Sequence, residues 1–506
     1  MFSTVIVGVA VICGCVLTPL MRELARTLNI VDRPDGRRKL HAHPTPLGGG
    51  MAISAAMALT AAVAAALFPD VRDLIAKESR FLLGLFAAAV TIVTVGLLDD
   101  RFQLRGRQKL IGQVLAAGVL ISSGLLVRRV SFFDYPIDLG LLAIPFTIFW
   151  VVGAINALNL IDGMDGLAGS VGLVLSIAIA AMAWMTGHPS DALVALALAG
   201  TIAGFLVYNL PPASVFLGDG GSMLIGLILG ALAIRSSIKG AATVALAAPT
   251  VIWAIPIFDV SMAIVRRKLT GRSIYETDRG HLHHCLQRSG HSGPRTVFLV
   301  ATLCVLTSVG ALIGVARNSE WMAVVTVLVV VAVLVVCRIF GTAEFLLIWT
   351  RAKSITRSLL KLRRRDESTP RLPERARLTG TRDWDDLWDT LTVYAERFDL
   401  SLVQLNVNLP AFNEEYHAHW HRRHDGPDHL QWTTDIPLVA GDVSVGRLRI
   451  RGQPSQGSVC DWIGELVSGL QPFEAQMMNL VFEQMVEPAG IADPAVPLIS
   501  SSDATV

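Results

Sequence analysis

Asn156, Asn159, Asp162 and Asp165 recur every third residue in NALNLIDGMDGLAG, residues 156–169, with long apolar runs on both sides. An acid beside so apolar a run is costly unless a partner, water or a metal compensates it. Other clusters share this chemistry. LLDDRFQLRGRQK holds Asp99, Asp100 and Lys109, and FLGDGGS holds Asp219. RRKLTGRSIYETDRGHLHHCLQRSGHS holds Arg272, Arg279, His281, His283 and His284. Carboxylate and amide oxygens at a wet boundary suit Mg²⁺, or Mn²⁺, which keeps waters and shares substrate phosphates. Lysine, arginine and histidine suit phosphate oxygens. The glycines of DGMDG and GDGG let backbone N–H groups approach an anion and interrupt a helix. A three-residue repeat drifts off one face of an unbroken helix, so unwinding is expected at Asp162-Gly163. Together these features describe a metal-assisted transfer of a phosphoryl-containing group, driven by positioning and charge neutralisation.

Each cluster alone has an ordinary reading. Asp99-Asp100 fits a solvated span terminus, and FLGDGGS fits a turn. NALNLIDGMDGLAG fits the broken helix of a transporter or flippase. HLHH fits zinc, but no Cys or Glu partner is well spaced. The question is whether the elements bring the clusters to one place.

Of the 506 residues, 52% are hydrophobic and 17% charged, and the mean hydropathy is +0.54. A soluble enzyme of this size is excluded. Six cysteines (13, 15, 285, 304, 337 and 460) form no CxxC pair, so neither a disulfide framework nor a cysteine zinc site is expected. Eleven apolar stretches, centred near residues 12, 58, 90, 119, 149, 177, 200, 227, 254, 304 and 331, approach the length of a membrane span. The first, TVIVGVAVICGCVLTPL, has no basic region ahead of it and no cleavage site, and reads as a retained span. With the N-terminus outside, loops 22–46, 99–110 and 266–295 lie inside and carry seventeen Lys/Arg, against eight in the outer loops. That asymmetry favours N-out, C-in. An even number of crossings then separates successive clusters, so all of them reach the inner boundary. Five acids (Asp99, Asp100, Asp162, Asp165 and Asp219), two amides and several bases would converge there from separate segments.

The expected fold is an all-α polytopic membrane protein of about eleven transmembrane helices, followed by a small α+β cytoplasmic domain. Residues 1–345 form the multispan part, 346–380 a basic linker suited to anionic headgroups, 381–486 the soluble domain and 487–506 a disordered tail. In the soluble domain DWDDLWDTLTVYAERF has helical periodicity, and LSLVQLNVNL, HLQWTTDIPLV and DVSVGRLRIRG alternate like strands. CDWIGELVSGLQPFEAQMMNLVFEQM reads as one long amphipathic helix. YHAHWHRRHDGPDH, with His417, His419, His421, His424 and His429, could place histidines around a metal on a strand. The reading adopted is a polar surface segment between strands. Arg33, Arg37, Arg38, Lys39, His41 and His43 fit topology charge and contact with a phosphate-bearing lipid or nucleotide equally well. Gly48–Gly50 would allow tight packing against a neighbouring span.

LLDD followed by RQK, N-A-x-N-x-x-D-G-x-D-G-L, F-x-G-D-x-G-S and H-x-H-H resemble the motifs of the polyprenyl-phosphate N-acetylhexosamine-1-phosphate transferases, glycosyltransferase family 4, over about residues 1–345. The resemblance implies that a UDP-sugar and a polyprenyl phosphate give polyprenyl-diphospho-sugar and UMP, with Mg²⁺, at the inner face of a bacterial cell membrane. It implies Asp219 and Asn159 at the metal, and Asp99 and Asp100 orienting the acceptor phosphate or its nucleophilic oxygen. Lys109 would contact phosphate. Asn156, Asp162 and Asp165 would belong to the substrate site, the two acids shaping a nucleotide pocket. Arg279, His281, His283 and His284 would bracket the diphosphate. A polyprenyl phosphate is already largely anionic at neutral pH, so electrostatic roles rank above proton abstraction. His281-Leu282-His283-His284 resembles the WecA-like and teichoic-acid-initiating branch, which implies UDP-GlcNAc. The branch that transfers phospho-MurNAc-pentapeptide carries three consecutive histidines and stands as the alternative. No nucleic-acid partner is implied; a homodimer and an unknown ligand for the C-terminal domain are open.

Overall fold

Long apolar runs satisfy their own backbone hydrogen bonds as helices, which is what a bilayer demands. The structure is a computed structural model that describes residues 2–33, 44–133, 135–239, 243–269, 280–337, 340–341, 374–379, 383–409, 414–422, 432–440, 443–452 and 459–482. Arg37, Arg38, Lys39, His41, His43, Arg272, Arg279, His424, His429, most of the linker and the 487–506 tail lie outside the described residues. The chain divides into two units, Met1–Glu344 and Phe345–Val506.

The first unit is helical. In order come α1 (Phe2–Thr27), α2 (Gly49–Leu67), α3 (Pro69–Lys77), α4 (Ser79–Phe102), α5 (Gly106–Ser122), α6 (Ala143–Ile161), α7 (Leu167–Met185), α8 (Pro189–Asn209) and α9 (Gly218–Arg235). They are followed by α10 (Ala247–Ile252), α11 (Ala254–Leu269), α12 (Leu282–Arg288), α13 (Gly293–Ala316) and α14 (Glu320–Val336). Among the described residues, eight helices are long and apolar enough to cross a membrane, with α14 a shorter apolar helix. The expected break is present: α6 ends at Ile161, and α7 starts after Gly166 at φ +73°. Short strands join the helices. β1 (Val31–Asp32) pairs with β2 (Thr45–Pro46). β3 (Arg129–Phe132), β4 (Tyr135–Asp138), β5 (Ile238–Lys239) and β6 (Thr243–Ala245) make a four-stranded sheet in the order β4-β3-β6-β5.

α9 is the most enclosed element; every residue from Gly220 to Ile234 is buried. Missing side chains let its neighbours in. A Cβ on Gly96 of α4 would overlap the Gly220 backbone, and one on Gly50 of α2 would lie 2.6 Å from the Gly220 carbonyl carbon. So α2, α4 and α9 meet backbone to backbone one residue from Asp219, the tight packing that small residues permit in membranes.

The second unit holds β7 (Glu374–Thr379), α15 (Trp384–Arg397), β8 (Leu402–Leu409), β9 (Glu414–His421), β10 (Trp432–Ala440), β11 (Val443–Gly452), α16 (Val459–Gly469) and α17 (Gln471–Phe482). Its strands form one antiparallel sheet in the order β10-β11-β8-β9-β7. Trp384, Leu387, Trp388 and Leu391 of α15 share a core with Val403, Leu405 and Val407 of β8 and with Tyr416, Ala418 and Trp420 of β9. Three local readings change. The histidine-rich segment is a strand at 414–421 rather than a connection, because its alternate residues enter the core. The one long helix is two, divided after Gly469, with Pro472 in the first turn of the second. β7 lies inside the expected linker and pairs with β9.

Candidate active site

Four helix ends supply the central group. Asp99 and Asp100 stand in the last turn of α4, Lys109 in the first turn of α5, Asn159 in the last turn of α6 and Asp219 in the first turn of α9. The Lys109 ammonium lies 2.8 Å from Asp99 Oδ2 and also pairs with Asp219 Oδ2. Asn159 Nδ2 donates to Asp219 Oδ1 at 2.9 Å and to Ser222 Oγ at 3.0 Å. Asp100 accepts the backbone N–H of Asp219 at 3.0 Å and, at a longer 3.5 Å, that of Gly220. Its carboxylate therefore satisfies the open donors at the start of α9, where negative charge is favoured. Gly218, at φ +71°, leaves room for it: a Cβ there would lie 2.7 Å from Asp100 Oδ2.

The loop between α6 and α7 closes one side. Protein atoms crowd the Asp162 carboxyl, although its residue surface is part-open. That burial, then the charges of Asp219, Asp100 and Asp165, hold it well above the usual carboxylate range. Asp165 Oδ2 accepts the backbone N–H of Ala213 at 3.0 Å, tying this loop to the segment before α9. Asn156 is engaged within the bundle: Nδ2 donates to Gln113 Oε1 at 2.7 Å and to Val152 O at 2.8 Å, and Gln113 Nε2 returns a bond at 3.3 Å.

The histidines stand beside this loop. His283 is buried, and a Cβ on Gly163 would lie 2.7 Å from its Nε2. Burial, and then His284, push the His283 ring down to about 3. Its ring stacks on His281 at 5.9 Å between centroids and tilts against His284 at 4.1 Å. Arg279 lies outside the described residues.

Asp99 and Asp219 thus share one ammonium, with Asp100 on the adjoining start of α9 and the Asp162 carboxyl within reach of the charges of Asp219 and Asp100. The oxygen donors of this set are of the hard type that fits Mg²⁺. Among the described residues no three His, Cys, Asp or Glu side chains close on a single point as metal ligands do; Lys109 stands between Asp99 and Asp219.

Sequence reasoning passed over Gln113, Ser222, Asp259 and Arg266. Asp259 had a readable signal, since an acid inside WAIPIFDVSMAIV is itself a functional-site hypothesis. Gln113 follows Lys109 by one turn, but nothing in the sequence pairs it with Asn156.

The sequence pattern of glycosyl transferase family 4 matches residues 82–237, which include Asp99, Lys109, Asn159 and Asp219. A protein of Mycobacterium leprae (strain TN) named decaprenyl-phosphate N-acetylglucosaminephosphotransferase is 34% identical over 324 residues, covering 58% of this chain and 79% of that protein. The chain belongs to glycosyl transferase family 4. Two further relatives agree. The probable undecaprenyl-phosphate N-acetylglucosaminyl 1-phosphate transferase of Bacillus subtilis (strain 168) is 28% identical over 310 residues, 60% of this chain and 83% of its own length. The undecaprenyl-phosphate alpha-N-acetylglucosaminyl 1-phosphate transferase of Escherichia coli O157:H7 is 29% identical over 363 residues, 69% of this chain and 93% of its own. As a member of glycosyl transferase family 4 with several apolar helices, the protein is a multi-pass membrane protein.

Proposed function

We propose that this protein transfers N-acetylglucosamine 1-phosphate from UDP-GlcNAc to a membrane polyprenyl phosphate, giving polyprenyl-diphospho-sugar and UMP as the first step of a cell-envelope glycan. The observation that carries the proposal is the meeting of Asp99, Lys109, Asn159 and Asp219 from four separate helix ends. The relatives' names, which give a polyprenyl phosphate and N-acetylglucosamine phosphate transfer, support the acceptor and the sugar, and the UDP carrier is part of the proposal.

In this reading an oxygen of the lipid phosphate attacks the β-phosphorus of UDP-GlcNAc. The bond from that phosphorus to the bridging oxygen breaks, and UMP leaves with the electron pair. Lys109, already between two carboxylates, meets phosphate oxygen as it arrives. Asn159 holds Asp219 Oδ1 in place, and Asp100 fixes the start of α9 so that Asp219 keeps its position. Asp99 faces the acceptor phosphate through Lys109. Asp162 lines the nucleotide side of the site, while Asp165 braces its loop. His281, His283, His284 and Arg279 bracket the diphosphate. Asp219 and the Asn159 oxygen would hold Mg²⁺, with Mn²⁺ as a substitute; when bound it neutralises charge developing on the phosphates. No proton abstraction is required, because the attacking phosphate is already ionised at neutral pH.

We read the chain as crossing a bacterial inner membrane eleven times, counting α5, α10–α11 and α14 with the longer helices. The N-terminus lies outside, and the site and C-terminal unit are cytoplasmic, as the loop charges favour. A panel of radiolabelled UDP-sugars offered to purified protein with polyprenyl phosphate tests the proposal. Lipid-linked label from UDP-GlcNAc in preference to other donors is expected; label only from UDP-MurNAc-pentapeptide, or none, would refute it.

A further inference from the structure

Three consecutive residues that open the histidine cluster, Gly280, His281 and Leu282, are tied to one face of α11. Asp259 is 2% exposed, in a helix whose first three turns are otherwise apolar apart from Ser261. Its Oδ2 lies 2.8 Å from His281 Nδ1, and its Oδ1 accepts the backbone N–H of Leu282 at 2.7 Å. Arg266 stands seven residues, about two turns, further along the same face. It is also buried, and its Nη2 donates to the Gly280 carbonyl at 2.9 Å. A Cβ on Gly280 would overlap that guanidinium, so only glycine lets the carbonyl approach. The carbonyl of 280, the ring of 281 and the amide of 282 are therefore each held by α11.

From this geometry we infer that Asp259 is a positioning residue for His281, which fixes the ring's tautomer and makes Nε2 its working atom, and that Arg266 sets the backbone beneath it. An ionised carboxylate only accepts, so the hydrogen between Asp259 and His281 sits on Nδ1. Among the described residues Asp259 is the hydrogen-bond partner of the His281 ring. Nε2 then carries the lone pair and is the nitrogen left to accept a hydrogen bond from a substrate hydroxyl. A buried carboxylate holds histidine in this way in hydrolytic triads and in metal sites, where its loss costs activity without removing the histidine. Such work is otherwise unexplained for an acid this deeply enclosed, since burying a carboxylate for packing alone is costly. The inference rests on the proposed transferase reaction for its kinetic test, and on Asp259 and His281 alone for its spectroscopic one.

The test is a double-mutant cycle on the purified full-length protein. Asp259→Asn keeps an oxygen for Leu282 but presents an N–H to Nδ1, which drives the ring hydrogen to Nε2. In the wild-type background, kcat/KM for UMP release is expected to fall about 10–100-fold. In the His281→Ala background the same substitution is expected to cost under about 3-fold, because the ring it acts through is gone. Asp259→Glu, which retains the carboxylate, should recover part of the loss. Equal losses in both backgrounds would make Asp259 merely structural and overturn the inference. Nitrogen NMR of the His281 ring reads the tautomer without turnover: hydrogen on Nδ1 in the wild type and on Nε2 in Asp259→Asn is expected. Hydrogen on Nε2 alone in the wild type would overturn it as well. If the wild type releases no UMP, the proposed reaction falls, and the NMR result still decides the role of Asp259.

Discussion

Asp219 and Asp165 both sit in glycine-rich stretches, yet their surroundings give them different work. Asp219 shares Lys109 with Asp99 and takes a bond from Asn159, while Asp165 spends its carboxylate on the Ala213 amide. His283 has another kind of role, as a neutral ring buried against Gly163. Its proton affinity carries a testable sign. The folded ring stays neutral down to about 3, whereas an unfolded one takes a proton below about 6.5. Between those values the unfolded chain binds more protons, so stability is full above the window and falls as the pH drops through it. At pH 5 the loss from this ring is ~2 kcal/mol. Thermal midpoints in detergent at pH 7.5 and 5 should therefore converge more closely in His283→Leu than in the wild type; an equal pH dependence in both would contradict it. The acids of the site were legible in the sequence because charge beside apolar runs is rare and costly. Asp259 has the same signature but lacks the glycine neighbours that drew attention to the others. The Asn156–Gln113 pair was not legible, since nothing local to either residue predicts a partner on another helix.

At the scale of elements, the site depends on how closely α2, α4 and α9 approach, because α4 carries Asp99 and Asp100 and α9 carries Asp219. Gly96→Ala inserts a methyl group where Gly220's backbone lies. Overpacking of this kind costs about 1–3 kcal/mol, and here it also parts Asp100 from the α9 amides. A lower thermal midpoint together with at least a tenfold fall in turnover is expected. Wild-type turnover in this variant would show that the spacing of α4 and α9 is not critical. Eight of the eleven expected apolar spans reach crossing length among the described residues, and the break at Asp162 was readable, since length and glycine determine both. β9 was misread because its histidines attracted a surface reading, although Tyr416, Ala418 and Trp420 alternate as a half-buried strand should. Charge hid β7 in the same way: ERARLT reads as linker until its pairing with β9 is seen. Gly469 and Pro472, both visible, outweighed the helical periodicity on either side.

At the scale of the whole molecule, each unit has its own hydrophobic core, and every described residue of the proposed site lies within Met1–Glu344. A chain ending at Glu344 should therefore keep UMP release within about threefold of the full-length protein, provided its thermal midpoint shows that it is folded. Loss of turnover in a folded truncation would give the C-terminal unit a part in catalysis. The relatives named here are covered over 79–93% of their own length by 58–69% of this chain.

The most direct test of the acid cluster is UMP release from UDP-GlcNAc, in the presence of polyprenyl phosphate and Mg²⁺, by the wild type and by Asp219→Asn side by side. Asp219→Asn keeps the shape of the side chain and removes the charge that faces Lys109. Turnover in the wild type, and a loss of at least about 100-fold in the variant, is expected from an electrostatic role of this size. Full turnover in Asp219→Asn would contradict the assignment of this carboxylate to the transfer.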